Sequence, residues 1–138
     1  MGVKVSFEFK ELKIKGVILI IPKVFDDNRG FFVETYNKSD FKKNGVDVNF
    51  AQTYFSNSKK NVLRGLHYQL NPYSQAKLIR VIKGSIVDVV VDIRKNSPTY
   101  GEFVSVKLDS DSKQMLFVPE GFAHGFYVLE DDTEVSYK

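Results

Sequence analysis

The amino-acid sequence predicts an all-β domain, folded as a sandwich or a barrel. Short segments rich in Val, Ile and Phe recur roughly every ten residues, and Gly, Pro, Asn, Asp or Ser separates them. This spacing is typical of β-sandwiches and β-barrels. The 138 residues suffice for one domain with a substantial core, and no internal repeat or interdomain linker divides them. We therefore expect residues 1–138 to form a single domain.

Six segments carry the strand signal in chain order. The first is GVILIIP at 16–22, which Pro22 ends because proline cannot donate to a β-ladder. The others are GFFVETY (30–36), KLIRVIKG (77–84), SIVDVVVDIR (85–94), GEFVSVKL (101–108) and QMLFVP (114–119). One or two short helices complete the prediction, one of them at 38–43 with Ser39 as its N-cap.

The composition bounds the chemistry and the setting of the chain. There is no cysteine, which excludes disulfides, thiol catalysis and cysteine-ligated metals and suits a reducing cytoplasm. The longest apolar run, at 16–21, is far too short to cross a bilayer and follows charged residues rather than a signal sequence. The net charge of +3 arises without a dense basic run. We expect a cytoplasmic protein with no membrane or nucleic-acid partner.

Asp88 and Asp92 interrupt one face of the most apolar predicted strand. If residues 83–84 form a two-residue turn, Lys77 lies opposite Val90 and diagonal to Asp88. A carboxylate in a strand this apolar needs a partner, and Lys77 is within reach in that arrangement. Asp88 therefore belongs either to a structural ion pair or to a functional site.

Two histidines lie far apart in sequence, each among glycines and aromatics: His67 in RGLHYQ (64–69) and His124 in GFAHGF (121–126). A mononuclear metal site needs three or four ligands, in small β-barrels commonly several histidines with a carboxylate. With two histidines and no cysteine, a site completed by two carboxylates is the less favoured interpretation. A neutral histidine is, however, a good base near pH 7. We predict no metal.

Arg64 lies three residues before His67, and Gly65 lies between them. In a regular strand these two side chains would point to opposite faces, but a bulge or bend at Gly65 would turn both inward. Arg29 and Arg64 each precede a glycine, and arginine suits bidentate phosphate binding.

The acidic stretch EDDT (130–133) is expected to turn the chain back after the short strand that contains His124. With an even loop length, His124 and Tyr137 would share a face. Tyr137 is then either a proton donor or a packed aromatic with a satisfied hydroxyl. The residues alone predict a polar interior of Arg, His, Lys, Asp and Tyr, and they name no substrate.

Four stretches, in order and with consistent spacing, resemble the dTDP-4-dehydrorhamnose 3,5-epimerase family. They are residues 26–37, 56–69, 75–103 and 118–126. The resemblance implies a cupin-like jelly roll and a homodimer with strands exchanged between subunits. It implies that the substrate is a dTDP-linked 4-keto-6-deoxyhexose of dTDP-L-rhamnose biosynthesis. The protons at C3 and C5 would be removed and returned on the opposite face, with no metal or dissociable cofactor.

The resemblance also implies roles for individual residues. His67 matches the family's base, Tyr137 the facing acid, and Lys77 the cation that stabilises the enolate oxygen. Further matches in the pocket are Gln52, Arg64, Asp88 and His124. Three more match residues that reach the nucleotide of the neighbouring subunit: Arg29, Phe32 and Glu34.

The chain departs from the family pattern in three places. Family chains usually continue past the Tyr-Lys pair, here Tyr137 and Lys138, with a segment that carries the aspartate orienting the base; we expect that segment to be absent. Thr53 and Tyr54 stand where Asp-Asn is usual, and Ala76 where Gly is usual. These departures keep alternatives open: a non-catalytic nucleotide-sugar-binding or assembly module, or an epimerase of C3 or C5 alone. The ketoisomerase chemistry of other cupins ranks lower, because those enzymes tend to carry two histidines close together.

Overall fold

The computed structural model describes residues 6–69 and 75–138, and this part of the chain is almost entirely β. Its elements are β1 (Phe7–Glu11), β2 (Ile18–Pro22), β3 (Val24–Asp27), β4 (Gly30–Val33), α1 (Lys38–Lys43), β5 (Tyr54–Ser58), β6 (Leu63–His67), β7 (Lys77–Lys83), β8 (Ser85–Asp92), β9 (Phe103–Asp109), β10 (Met115–Val118), β11 (Phe122–Val128) and β12 (Thr133–Tyr137). No helix in the described ranges is long and apolar enough to span a membrane.

Two sheets face each other in a sandwich. One has six strands in the order β1-β2-β10-β7-β12-β5, and the other has four in the order β6-β11-β8-β9. A separate ribbon pairs β3 with β4. From β5 to β12, consecutive strands mostly alternate between the sheets, which is the connectivity of a cupin-like jelly roll. The predicted all-β, jelly-roll fold is confirmed.

The core fills the space between the sheets with alternate residues of the facing strands. Along β8 the inward face is Ile86, Asp88, Val90 and Asp92, all fully buried. The alternating outward valines are only half-buried. Ile79, Val81 and Leu116 reach the same cluster from the six-stranded sheet. The two inward aspartates therefore sit inside an otherwise apolar layer.

Helix α1 has the predicted bounds but a different cap. The side chain of Asn37 accepts a hydrogen bond from the backbone N–H of Asp40 at 3.1 Å. Ser39, the predicted cap, lies inside the first turn because the helix already begins at Lys38. The helix buries Phe41, and the edges of neighbouring aromatic rings meet it, including those of Phe7 and Tyr36.

The predicted hairpin of β7 and β8 is wrong, because these strands belong to different sheets. Lys77 pairs with Val118, and Val90 pairs with Val104 and His124. Each strand has one strongly apolar face, and the two faces bury each other across the sandwich instead of lying side by side. The chain changes sheets at Gly84.

That crossing requires glycine. Gly84 has φ +87, and a Cβ there would lie 2.2 Å from Oγ1 of Thr133. The prediction that His124 and Tyr137 share one sheet face is also wrong, because β11 and β12 belong to different sheets. The EDDT stretch does turn the chain, but it carries it from the four-stranded sheet to the six-stranded one.

Candidate active site

A cleft of about 720 Å³ opens between the two sheets, and five of the predicted site residues line it. They are Gln52, His67, Lys77, His124 and Tyr137. The two histidines come from the four-stranded sheet, and Lys77 and Tyr137 come from the six-stranded sheet. Groups that approach a ligand from two opposite walls can reach both faces of a flat reacting centre.

A β-bulge in β6 brings His67 into the cleft. His67 lies opposite His124, and Arg64 lies opposite Phe126. Between these two pairs the chain advances three residues along β6 but only two along β11. The extra residue puts Arg64 and His67 on the same face, as predicted for Gly65. On the partner strand, a Cβ at Gly125 would lie 2.7 Å from the carbonyl oxygen of Arg64, so only glycine allows this close pairing.

Arg64 does not line the cleft in the described part of the structure. Its guanidinium donates two hydrogen bonds to the Ser58 hydroxyl, at 3.1 Å from Nε and 3.0 Å from the terminal nitrogen. The register shift between β6 and β11 confirms the predicted bulge. The sharing of one pocket by Arg64 and His67 stays a prediction.

The imidazole of His67 is held by the backbone of β11. Its Nδ1 lies 2.9 Å from the carbonyl oxygen of His124. A carbonyl oxygen can only accept, so Nδ1 carries the hydrogen and the lone pair of the neutral ring resides on Nε2. The ring also stacks on that of His124, with centroids 6.4 Å apart and planes inclined by 22°. This tautomer leaves Nε2 free to take a proton.

Behind this base lies a buried pair, Asp88 and His124. Nε2 of His124 is 2.5 Å from Oδ1 of Asp88, and the two side chains are 5% and 0% exposed. We describe this short, buried contact as an ion pair. Burial raises the pKa of the Asp88 carboxyl, and the charges of His124 and Lys77 partly offset that rise.

Lys77 is linked electrostatically to the same carboxylate. Burial lowers the pKa of the Lys77 ammonium, and the charge of Asp88 opposes the shift. Lys77 and Asp88 thus interact electrostatically across the sandwich and not within one hairpin, and a direct ion pair between them stays a prediction. A half-desolvated ammonium that keeps a buried counter-charge is suited to an oxygen that gains negative charge.

Tyr137 shares its wall of the cleft with a residue that the sequence analysis did not place in the site, Tyr54. The two are paired on neighbouring strands, and their rings stack with centroids 5.6 Å apart and planes inclined by 27°. The Tyr54 hydroxyl donates to Oε1 of Gln52 at 2.7 Å. The sequence marked this residue only as part of the departure from the family pattern at positions 53 and 54. The strand register, which places Tyr54 opposite Tyr137, is needed to assign it to the site.

The predicted nucleotide contacts lie on or beside the β3–β4 ribbon, away from the described cleft lining. Arg29 donates two hydrogen bonds to the Asp27 carboxylate, and 86% of its side-chain surface is exposed. Phe32 is 67% exposed, and Glu34 follows the end of β4 and is half-buried. Contact between these residues and the ligand of a neighbouring subunit stays a prediction.

No three His, Cys, Asp or Glu side chains within 6–69 and 75–138 are grouped closely enough to hold a metal ion.

Comparison with known proteins identifies the relatives of this chain. The sequence profile described as dTDP-4-dehydrorhamnose 3,5-epimerase matches residues 11–138. The chain belongs to this family. A dTDP-4-dehydrorhamnose 3,5-epimerase of Shigella flexneri is 53% identical over 127 residues, which are 91% of this chain and 70% of the relative.

Solved structures of epimerases share the fold. The dTDP-4-dehydrorhamnose 3,5-epimerase of Sulfolobus tokodaii superposes with a TM-score of 0.90 and 51% identity, covering 96% of this chain and 74% of the other. A dTDP-6-deoxy-D-glucose-3,5-epimerase of Legionella pneumophila, solved with dTDP-4-keto-L-rhamnose bound, gives 0.91 and 42%, covering 96% and 70%. The family membership expected from the motifs is confirmed, and with it the isomerase class.

Proposed function

We propose that this protein is an epimerase of a dTDP-linked 4-keto-6-deoxyhexose, acting at C3 and C5 in dTDP-L-rhamnose biosynthesis without a cofactor. The observation that carries the proposal is the convergence of His67, Lys77 and Tyr137 on one cleft from opposite sheets. Support comes from membership of the epimerase family and from the dTDP-4-keto-L-rhamnose bound to the Legionella pneumophila relative.

The proposed reaction begins with proton transfer to His67. A C–H bond next to a ketone is weakly acidic because its electron pair can move onto the carbonyl oxygen. His67 takes the proton on Nε2, the C–H pair forms the carbon–carbon double bond of an enolate, and the C4 oxygen becomes negative. The imidazolium that results keeps the hydrogen bond from its Nδ1–H to the His124 carbonyl.

Lys77 stabilises the enolate oxygen in this scheme. Its ammonium is already partly desolvated, so little solvent reorganisation accompanies the appearance of charge. The negative charge of Asp88 favours the protonated form of Lys77, and Asp88 itself contacts His124. The buried pair is thus the electrostatic support of the cation.

Tyr137 completes the inversion. Its hydroxyl gives a proton to the planar carbon from the face opposite His67, forming the new C–H bond as the enolate electrons return to carbon. The phenolate is then reprotonated from solvent, and the imidazolium releases its proton. The sum is an inverted centre with no net change in atoms or charge. The same two groups serve both carbons if the sugar shifts between the two steps.

We also propose that the protein works as a cytoplasmic homodimer with exchanged strands. The edge strands β5 and β6 expose large apolar side chains, of which Phe55, Leu63 and Leu66 are 55–68% exposed. Exposed apolar edges of this kind are typical of partner surfaces. Light scattering coupled to size exclusion tests this assembly, and a monomer at micromolar concentration would contradict it.

Deuterium exchange tests the function directly. In D₂O, the dTDP-4-keto-6-deoxyhexose should gain deuterium at C3 and C5, followed by NMR and mass spectrometry. His67→Asn should abolish the exchange while binding of dTDP, measured by calorimetry, persists. Exchange at one carbon would instead identify a C3 or C5 epimerase. Binding without exchange in the wild-type protein would identify a binding module and refute the catalytic proposal.

A further inference from the structure

Tyr54 makes two contacts within the cleft that no packing requirement explains. Its side chain is 48% exposed, so its contribution to the core is small. Yet its ring stacks on Tyr137 and its hydroxyl donates to Gln52, and all three residues line the cleft. A half-exposed aromatic with both contacts directed into one cavity points to a role in the site.

We propose that Tyr54 is a positioning residue that fixes the phenol of Tyr137 and, through it, determines which carbon of the substrate is reprotonated. This inference rests on the proposed epimerase function and deepens it. Proton transfer depends steeply on the placement of the donor, and a displacement of about 1 Å can lower a rate about a hundredfold.

The stack restricts the torsions of Tyr137 from one side. Strand register sets Tyr54 directly opposite Tyr137, and β7 supports β12 from the other side. The Tyr137 side chain is half-buried, so its own burial leaves room for rotation. The Tyr54 ring fills part of that room and leaves the Tyr137 hydroxyl a narrow range of directions.

The hydroxyl of Tyr54 has a second consequence, for Gln52. Because that hydroxyl occupies Oε1, Gln52 presents its amide N–H₂ group to the cleft. An amide donor suits a sugar hydroxyl or carbonyl oxygen. Tyr54 thus fixes the direction of one acid through its ring and of one donor through its hydroxyl, and the two effects are separable by mutation.

Tyr54→Leu and Tyr54→Phe separate them. Tyr54→Leu removes both contacts, so kcat should fall about ten- to a hundredfold, and the ratio of deuterium at C3 to C5 should change. Tyr54→Phe keeps the stack, so kcat and that ratio should stay near wild type while KM rises severalfold. Tyr100→Leu, at an exposed tyrosine that does not line the described cleft, is the matched control.

A measurement that is independent of turnover accompanies the kinetics. The NMR ring signals of Tyr137 should carry a ring-current shift in the wild-type protein and in Tyr54→Phe, and lose it in Tyr54→Leu. Loss of that shift with kcat and the C3-to-C5 ratio unchanged overturns the positioning role. An inactive wild-type protein refutes the epimerase proposal instead, so the two failures are distinguishable.

Discussion

Asp88 and Asp92 lie on the same face of β8, both fully buried, yet their pKa values move in opposite directions. Asp92 receives hydrogen bonds from Arg94 at 3.0 Å, Ser97 at 2.6 Å and Thr99 at 2.5 Å, which hold its pKa well below the usual range. Asp88 makes a short contact with His124, and burial raises its pKa.

The difference separates a structural carboxylate from a candidate functional one. Asp92 ends its strand and ties down the loop that follows, where the Arg94 guanidinium also lies over the ring of Phe122 at 4.7 Å. Asp88 lies mid-strand, next to the cleft, and interacts with charges that the proposed reaction uses. A carboxylate that accepts several hydrogen bonds contributes to stability, whereas a buried one whose main neighbours are charged can respond to a change in charge nearby.

Removing the cation associated with Asp88 should have the largest effect. Lys77→Met keeps the apolar stem and deletes the ammonium, so the rate of deuterium exchange should fall about 10²–10³-fold. Lys83→Met, at the exposed end of the same strand, is the control and should exchange near the wild-type rate. An unchanged rate in Lys77→Met would remove Lys77 from the mechanism.

The next largest effect should be on stability. Asp92→Asn replaces a fully buried charged acceptor that three half-buried partners donate to, so the free energy of unfolding should fall by about 2–4 kcal/mol. Urea denaturation measures it, with Asp132→Asn as the control because Asp132 pairs with Lys83 at the surface. A loss no greater than that of the control would show that the network adds nothing.

Asp88→Asn should show the opposite balance. The amide removes a buried carboxylate whose desolvation raises its pKa, so the stability loss should be smaller than that of Asp92→Asn. Lys77 loses its counter-charge, and exchange should fall about tenfold to a hundredfold. Parallel urea and exchange measurements on both variants make the comparison. A variant that unfolds as readily as Asp92→Asn yet keeps its rate would reverse the assignments.

The smallest effect is the pH dependence of stability, and its sign differs between the two aspartates. The raised pKa of Asp88 means that its contribution is full below the ordinary value of 3.8 and is lost as the pH rises through the raised pKa. The lowered pKa of Asp92 means that its contribution is present above 3.8 and is lost as the pH falls toward its folded-state pKa.

Urea unfolding of the wild type and both asparagine variants between about pH 2.5 and 7 tests these signs. The difference between wild type and Asp88→Asn should decline with rising pH above 3.8, and that between wild type and Asp92→Asn should grow with rising pH below it. Slopes of the same sign would show that the two carboxyls do not differ as described.

Local patterns in the sequence predicted β2, β4 and β7 to β11, the short helix and the bulge at Gly65, because each depends on residues within a few positions. They did not predict β1, β3, β5 or β12. The pairing of strands was harder. An apolar run followed by Lys-Gly is compatible with a hairpin and with a crossing between sheets, and only the burial of both apolar faces decides between them. Lys77 and Asp88 interact electrostatically even though their strands belong to different sheets, and their direct pairing stays a prediction.

Contacts that depend on register across distant strands lay beyond the sequence. The stack of Tyr54 on Tyr137 needs β5 and β12 aligned although 82 residues lie between the two tyrosines. The hydrogen bond from His67 needs the bulge and the backbone of β11 together. Motif matching placed His67, Lys77 and Tyr137 together, and their shared cleft agrees with it, while the ribbon residues Arg29 and Phe32 lie outside the described cleft.

The anchor of the His67 ring is a main-chain carbonyl, and this shapes how the protein can change over evolutionary time. No side-chain replacement at position 124 deletes that acceptor, so substitutions there leave the hydrogen bond that orients the imidazole in place. It is exposed instead to anything that shifts the β11 backbone, such as a methyl group at Gly125. The most fragile determinant of the ring's orientation is thus a position that has no side chain.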